Sequence, residues 1–153
     1  MIHYLIREQV IPAPVEQVWE YFCNPANLNE ITPPDMNFEI VWGADIKMYA
    51  GQLIEYRVEF IRGIRSIWLT EIAHVQANRY FVDEQRVGPY RFWYHEHTFE
   101  PSGLGTRMID KVTYVVPYGV FGDALNSIWI RKRLEGIFDY RRRKIVVMFG
   151  EAP

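Results

Sequence analysis

Between residues 37 and 116 the chain runs through six extended segments in a row, and one long amphipathic helix is all that follows to cover them. An antiparallel sheet with an apolar face must bury that face, so the helix is committed to lie across it. The segments are Asn37 to Trp42, Gly51 to Ile61, Ile64 to Val75, Tyr80 to Val87, Tyr90 to Glu100 and Thr106 to Val116. Between them stand Gly43-Ala44-Asp45, Arg62-Gly63, Ala77-Asn78, Gly88-Pro89 and Pro101-Ser102-Gly103-Leu104-Gly105, each with the glycine, asparagine or proline chemistry of a chain reversal. Upstream, a first strand from His3 to Ile11 closes at Pro12. Pro14 opens a helix in which Val15, Val18, Trp19 and Phe22 recur at helical spacing, and Asn24-Pro25 ends it. A second short helix through Leu28 and Ile31 stops at Thr32-Pro33-Pro34, because neither proline can donate a backbone hydrogen bond. After Pro117-Tyr118-Gly119, the residues Leu125, Trp129, Leu134, Phe138, Ile145 and Met148 mark the apolar stripe of the last helix. The order β-α-α-β6-α predicts an α+β fold of about seven antiparallel strands packed on that helix.

Side-chain parity then sorts each strand into two faces. In the fifth segment of the row, Trp93, His95, His97 and Phe99 share one face, while Tyr94, Glu96, Thr98 and Glu100 share the other. The second face carries two carboxylates and belongs in solvent, so the histidines look inward. The same rule turns Ile54, Tyr56, Val58 and Phe60 inward, with Trp68, Thr70 and Ile72 on the next strand. Phe81, Asp83 and Gln85 follow, and the last strand offers Met108, Asp110, Val112 and Tyr114. Asp83, Gln85, His95, His97, Asp110 and Tyr114 thereby form a polar island on an apolar face. Burying such groups unpaired would cost roughly 2 to 7 kcal/mol each, so they pair with one another, with water or with a ligand. Three roles are open to them. They can pin strands together, as a His95–Asp110 pair would. They can anchor the polar end of a greasy ligand. Or His95 or His97, held by a carboxylate such as Asp110, can transfer protons in a cyclisation, dehydration or enolisation.

The 153 residues carry 17 Lys+Arg against 19 Asp+Glu, a balance that gives no global reason to expect nucleic acid or a membrane surface. Aromatic residues make up 16% of the chain, enough large rigid surface to wall a cavity as well as fill a core. Cys23 is the sole cysteine, which rules out an internal disulfide and a cysteine-built zinc site and fits a reducing cytoplasm. Two histidines two apart on one strand face can share a zinc ion with a carboxylate, yet the spacing matches no firm zinc-ligand pattern. No metal or cofactor is expected on that basis. The N-terminal apolar run is charged too soon for a signal peptide, and no stretch approaches the ~20 apolar residues of a membrane span, so the expected location is the cytoplasm.

A basic cluster, Arg131, Lys132, Arg133, Arg141, Arg142, Arg143 and Lys144, lies on the last helix. It reads as a solvated face whose later members also suit the helix's C-terminal dipole. The rival is a patch for an acidic partner, including anionic lipid or nucleic acid. Arg141 stands apart, three residues after Phe138 and four before Ile145 on the apolar stripe, where it can reach an interior carboxylate or an anionic ligand group.

Four segments carry a resemblance to a known superfamily: Ile11-Pro12-Ala13-Pro14-Val15-Glu16-Gln17-Val18-Trp19, Asn27-Leu28-Asn29-Glu30-Ile31-Thr32-Pro33-Pro34, the run from Gly88-Pro89-Tyr90 through Trp93-Tyr94-His95-Glu96-His97-Thr98-Phe99, and Asp110-Lys111-Val112-Thr113-Tyr114-Val115-Val116-Pro117-Tyr118-Gly119. With them the chain resembles the START-like or SRPBCC superfamily of polyketide cyclase/dehydrase and lipid-transport proteins. The first segment is shared across much of that superfamily, and the second and third resemble a bacterial subgroup. The resemblance implies a helix-grip fold, in which a curved sheet grips the long helix around a hydrophobic cavity, with residues 1–153 as a single ligand-binding domain. It implies no reaction, since fold alone does not fix function. The resulting expectation is a non-enzymatic protein, monomer or homodimer, that binds a hydrophobic or lipid-like small molecule, with no nucleic acid and no stable membrane insertion. The expected ligand contacts are Tyr56, Trp68, Asp83, Gln85, Trp93, His95, His97, Phe99, Asp110, Tyr114, Phe138 and Arg141. A cyclase/dehydrase-like or isomerase-type enzyme, with His95, His97 and Asp110 as catalytic candidates, and an interaction module built on the basic helix are the alternatives.

Overall fold

A computed structural model describes residues 1–152. Strand β1 (His3–Ile11) leads into helix α1 (Val15–Phe22) and two 3-10 turns, Pro25–Ile31 and Pro34–Met36. Strands β2 (Glu39–Trp42), β3 (Gln52–Ile61), β4 (Ile64–Gln76), β5 (Tyr80–Val87), β6 (Phe92–Ser102) and β7 (Gly105–Val115) follow. Helix α2 (Gly119–Leu125) then passes through a π-helical turn, Asn126–Ile130, into α3 (Arg131–Phe149). The strands form one antiparallel sheet in the order β1-β7-β6-β5-β4-β3-β2. Sequence neighbours pair throughout except at β1, which leaves the meander to close against β7.

Local chemistry explains the corners. Asn24 caps the first 3-10 turn by accepting from the Ala26 amide at 3.2 Å. At Gly105, with φ of +127°, a side chain would meet the Ile11 carbonyl oxygen at 2.2 Å, so only glycine lets the β6–β7 hairpin close on the end of β1. Thr106 Oγ1 donates to the Ala13 carbonyl at 2.8 Å and ties the same corner to the start of α1.

The inward parity of β3, β6 and β7 holds at the expected positions: Ile54, Tyr56, Val58 and Phe60 are buried, as are Trp93, His95, His97 and Phe99, and Met108, Asp110, Val112 and Tyr114. Helix α1 contributes Val18, Trp19 and Phe22 to a cluster in which Trp19 meets Phe81 and Phe99 edge-on at 6.1 and 5.7 Å. Helix α3 places Leu134, Ile137 and Phe138 against Tyr114, Trp93 and Val112 of the sheet.

The helix stripe differs from expectation at both ends. Leu125, Trp129 and Met148 are 48%, 36% and 37% exposed, whereas Asn126 and Ile130 are buried. Counting back from Leu134 in steps of four reaches Ile130 and Asn126, and Trp129 stands one residue out of phase. It instead rests edge-on against Phe60 at 5.7 Å, on the rim of the core. Buried Asn126 accepts from the Tyr114 hydroxyl at 2.9 Å and fastens the π-helical turn to β7. Tyr114→Phe is expected to lower stability by about 1–3 kcal/mol, because it leaves the buried Asn126 oxygen without its donor. Urea denaturation of both proteins measures the loss.

Candidate functional site

Four titratable side chains meet on the concave face because antiparallel register sets Asp83 opposite His95 and His97 opposite Asp110. His95 Nε2 is 2.9 Å from Asp110 Oδ1, and His97 Nε2 is 2.8 Å from Asp83 Oδ2. The cross contacts complete a ring: His95 Nδ1 is 3.4 Å from Asp83 Oδ2, and His97 Nδ1 is 2.9 Å from Asp110 Oδ1. That last contact is close but misaligned, so His97 Nδ1 has no hydrogen-bond partner among the described residues. The imidazole centroids are 3.7 Å apart with the rings tilted by 36°, and Phe81 is stacked on His97 at 4.0 Å. Trp93 Nε1 donates to the other oxygen of Asp83 at 3.3 Å. From α3, Arg141 Nη1 approaches Asp110 Oδ1 at 3.7 Å while its guanidinium lies over the Phe138 ring.

Protonation follows from these partners. Ionised carboxylates only accept hydrogen bonds, so the nitrogens hydrogen-bonded to them, His95 Nε2 and His97 Nε2, carry protons. Burial alone would lower His97, but its contacts with Asp110 and Asp83 outweigh that and raise it, which favours imidazolium. Burial, reinforced by the charge on His97, lowers His95 and keeps it neutral. Burial pushes both aspartates up; His95, His97 and Arg141 more than offset this for Asp83, and hydrogen bonds from the two histidines do so for Asp110, so both carboxyls sit below their usual range. Two carboxylates thus face His97 and Arg141, and the buried cluster is neutral as a whole.

The cluster opens into an apolar cavity of about 150 Å³ bounded by the sheet, α3 and the 3-10 turns. Asp83, His95, His97 and Arg141 form its polar wall, and Tyr56, Trp68, Trp93 and Phe138 are among its apolar walls. Asp110 stands behind the histidines and faces a second hollow between β1 and α3, shared with Arg7 and Arg142. Of the other expected contacts, Gln85 turns to the β5–β6 loop, where its amide bonds the backbone of Tyr90 at 2.7 and 3.1 Å. Phe99 packs with Trp19 and Phe22, and Tyr114 with Asn126. Leu28, Ile31, Met36 and Met48 also line the cavity. They come from the 3-10 turns and the segment before β3, which have no hydrophobic period to reveal them. Ile137, next to Phe138 on the helix stripe, was within reach of helical spacing.

The basic helix is divided in its roles. Arg131 pairs with Glu135 at 3.2 Å and Arg133 with Asp35 at 2.7 Å, Arg141 is interior, and Lys132, Arg142, Arg143 and Lys144 are exposed. No helix among the described residues is long and apolar enough to cross a membrane.

A family model described as polyketide cyclase/dehydrase and lipid transport matches residues 11–135. No curated protein matches the sequence. Among solved structures, protein CV1439 from Chromobacterium violaceum is similar with a TM-score of 0.73 at 12% identity, over 96% of this chain and 97% of that one. The major latex-like protein 151 of Panax ginseng gives 0.71 at 13% identity, over 97% and 98%. The Zhui aromatase/cyclase from Streptomyces sp. R1128 gives 0.69 at 16% identity, over 97% and 93%. At these identities the likeness is one of fold.

Proposed function

Because the chain belongs to the polyketide cyclase/dehydrase and lipid transport family, we propose that it binds a hydrophobic small molecule whose oxygen-bearing end meets the Asp83–His95–His97–Arg141 wall. The observation that carries this reading is the placement of Arg141. Its side chain is buried and lines an apolar cavity, and its Nε has no hydrogen-bond partner among the described residues. A buried charged donor left unpaired is costly, and an acceptor oxygen on a ligand would satisfy it. The remaining wall is apolar and aromatic, the usual make-up of a site for a greasy molecule.

The test needs no variant. A fluorescent long-chain carboxylic acid and its methyl ester are titrated into the protein. One-site binding is expected, with the acid roughly tenfold or more tighter, the order of a charged hydrogen bond. Absence of binding by either probe would overturn the proposal.

A second reading, an enzyme of the cyclase/dehydrase or isomerase kind, draws support from the unequal histidines. A neutral His95 beside a protonated His97 is a base next to an acid, the pairing that proton transfer to and from a carbon acid requires. Under that reading, His95→Gln keeps probe affinity and loses turnover, whereas under the binding reading affinity itself falls.

A further inference from the structure

We propose that Asp83, His95 and His97 also form a binding site for a divalent first-row cation of the zinc class. Asp83 Oδ2 lies against both His95 Nδ1 and His97 Nε2, one ligand atom from each of the three residues can be chosen so that all lie within 4.8 Å of one another, and all three residues line the cavity. Ligand atoms of a four-coordinate zinc at about 2.0–2.1 Å stand about 3.3 Å apart. Asp83 Oδ2 is already 3.4 Å from His95 Nδ1 and 2.8 Å from His97 Nε2, so a shift of about half an ångström at the second pair brings both carboxylate–imidazole spacings to that value. The cation would replace the proton that now bridges His97 and Asp83.

The groups behind the ligands strengthen the assignment. Metal-bound histidines commonly donate their other ring N–H to a carboxylate, which fixes the tautomer and raises ligand basicity. Both histidines here present that other nitrogen to one oxygen, Asp110 Oδ1, each at 2.9 Å. The unpartnered Nδ1 of His97 would gain its bond to Asp110 by a small rotation of the ring. Two neutral imidazoles and one carboxylate make a donor set suited to zinc or ferrous iron. The fourth position would face the cavity, between the ligands and Arg141. This inference deepens the ligand-binding proposal by giving the polar end of the cavity a Lewis acid, and it stands or falls separately from it.

The experiment uses the full chain, stripped with a chelator and titrated with Co²⁺ as a spectroscopic stand-in for Zn²⁺. One equivalent should bind with a visible d–d absorption that Zn²⁺ abolishes. Proton NMR of the Co²⁺ form should show two hyperfine-shifted exchangeable ring protons, those of His95 Nε2 and His97 Nδ1. The chain has only two other histidines, His3 and His74. The double variant His3→Gln/His74→Gln should keep both signals, and Asp110→Asn should weaken Co²⁺ binding about 10- to 100-fold. Sub-stoichiometric binding, or signals that vanish with His3 and His74, would overturn the assignment. The fluorescent acid is titrated into the metal-free protein in parallel: probe binding without Co²⁺ binding defeats the metal site alone, and Co²⁺ binding without probe binding defeats the ligand cavity alone.

Discussion

A chain ending at Gly122 is expected to show no cooperative melt and to aggregate. The cut removes Ile130, Leu134, Ile137, Phe138 and Ile145, all buried against the sheet, together with the Asn126 acceptor of Tyr114. Burying a large apolar side chain contributes about 1.5–3 kcal/mol, so five of them amount to roughly 7–15 kcal/mol. That matches the whole stability of an ordinary domain, about 5–15 kcal/mol. The exposed concave face would also present Trp93, Tyr114 and Phe60 to solvent, an apolar patch of the kind that drives association. Circular dichroism during heating and light scattering at room temperature measure the two effects. A monomeric product with a sigmoidal melt would mean that the sheet is stable without its helix.

Asp110→Asn is expected to cost about 3 kcal/mol or more, and thus roughly 6–12 °C in melting temperature for a chain of this size. The substitution keeps the shape and removes the charge, leaving His97 and Arg141 to share Asp83. The effect depends on pH with a definite sign. Asp110 titrates lower in the folded protein than in the unfolded chain, so its contribution is complete above about pH 4 and is lost as pH falls through the folded value. His97 titrates higher when folded, so its contribution is complete below about pH 6.5 and is lost as pH rises through the folded value. His95, lowered by burial, favours the fold above about pH 6.5 and less so as pH falls. The gap between wild type and variant should therefore be widest near pH 5–6, where His97 is charged, and narrow as His97 loses its proton. Urea midpoints at pH 5.5, 7 and 8.5 read this out. A gap under 1 kcal/mol that ignores pH would mean that Asp110 holds no cation in the core.

Strand parity alone was enough to bring Asp83, His95, His97 and Asp110 onto one face, because alternation fixes the face and a meander fixes the neighbours. The apolar stripe of the last helix committed it to the sheet, and the family segments supplied what neither pattern gives, the curvature and the cavity. Gln85 shows where alternation stops being informative. Its strand is about to end, and the amide satisfies the turn backbone at Tyr90 rather than the concave face. The floor of the cavity was out of reach for a different reason. Leu28, Ile31 and Met36 sit in 3-10 turns too short to display a period. Arg141 was legible as an interior residue from its place between Phe138 and Ile145, whereas its unpaired Nε depends on a side-chain conformation that spacing does not encode.

The π-helical turn at Asn126–Ile130 decouples chain length from helix phase. Within α3, losing one residue would swing everything on one side of the cut by about 100°, and Arg141 would leave the sheet for solvent. Losing one residue from the wide turn would instead tighten it to an ordinary α-helical turn and leave Leu134, Phe138 and Arg141 on their present faces. Single-residue deletions should thus be tolerated in one short stretch of this helical segment and in none of the turns that follow it.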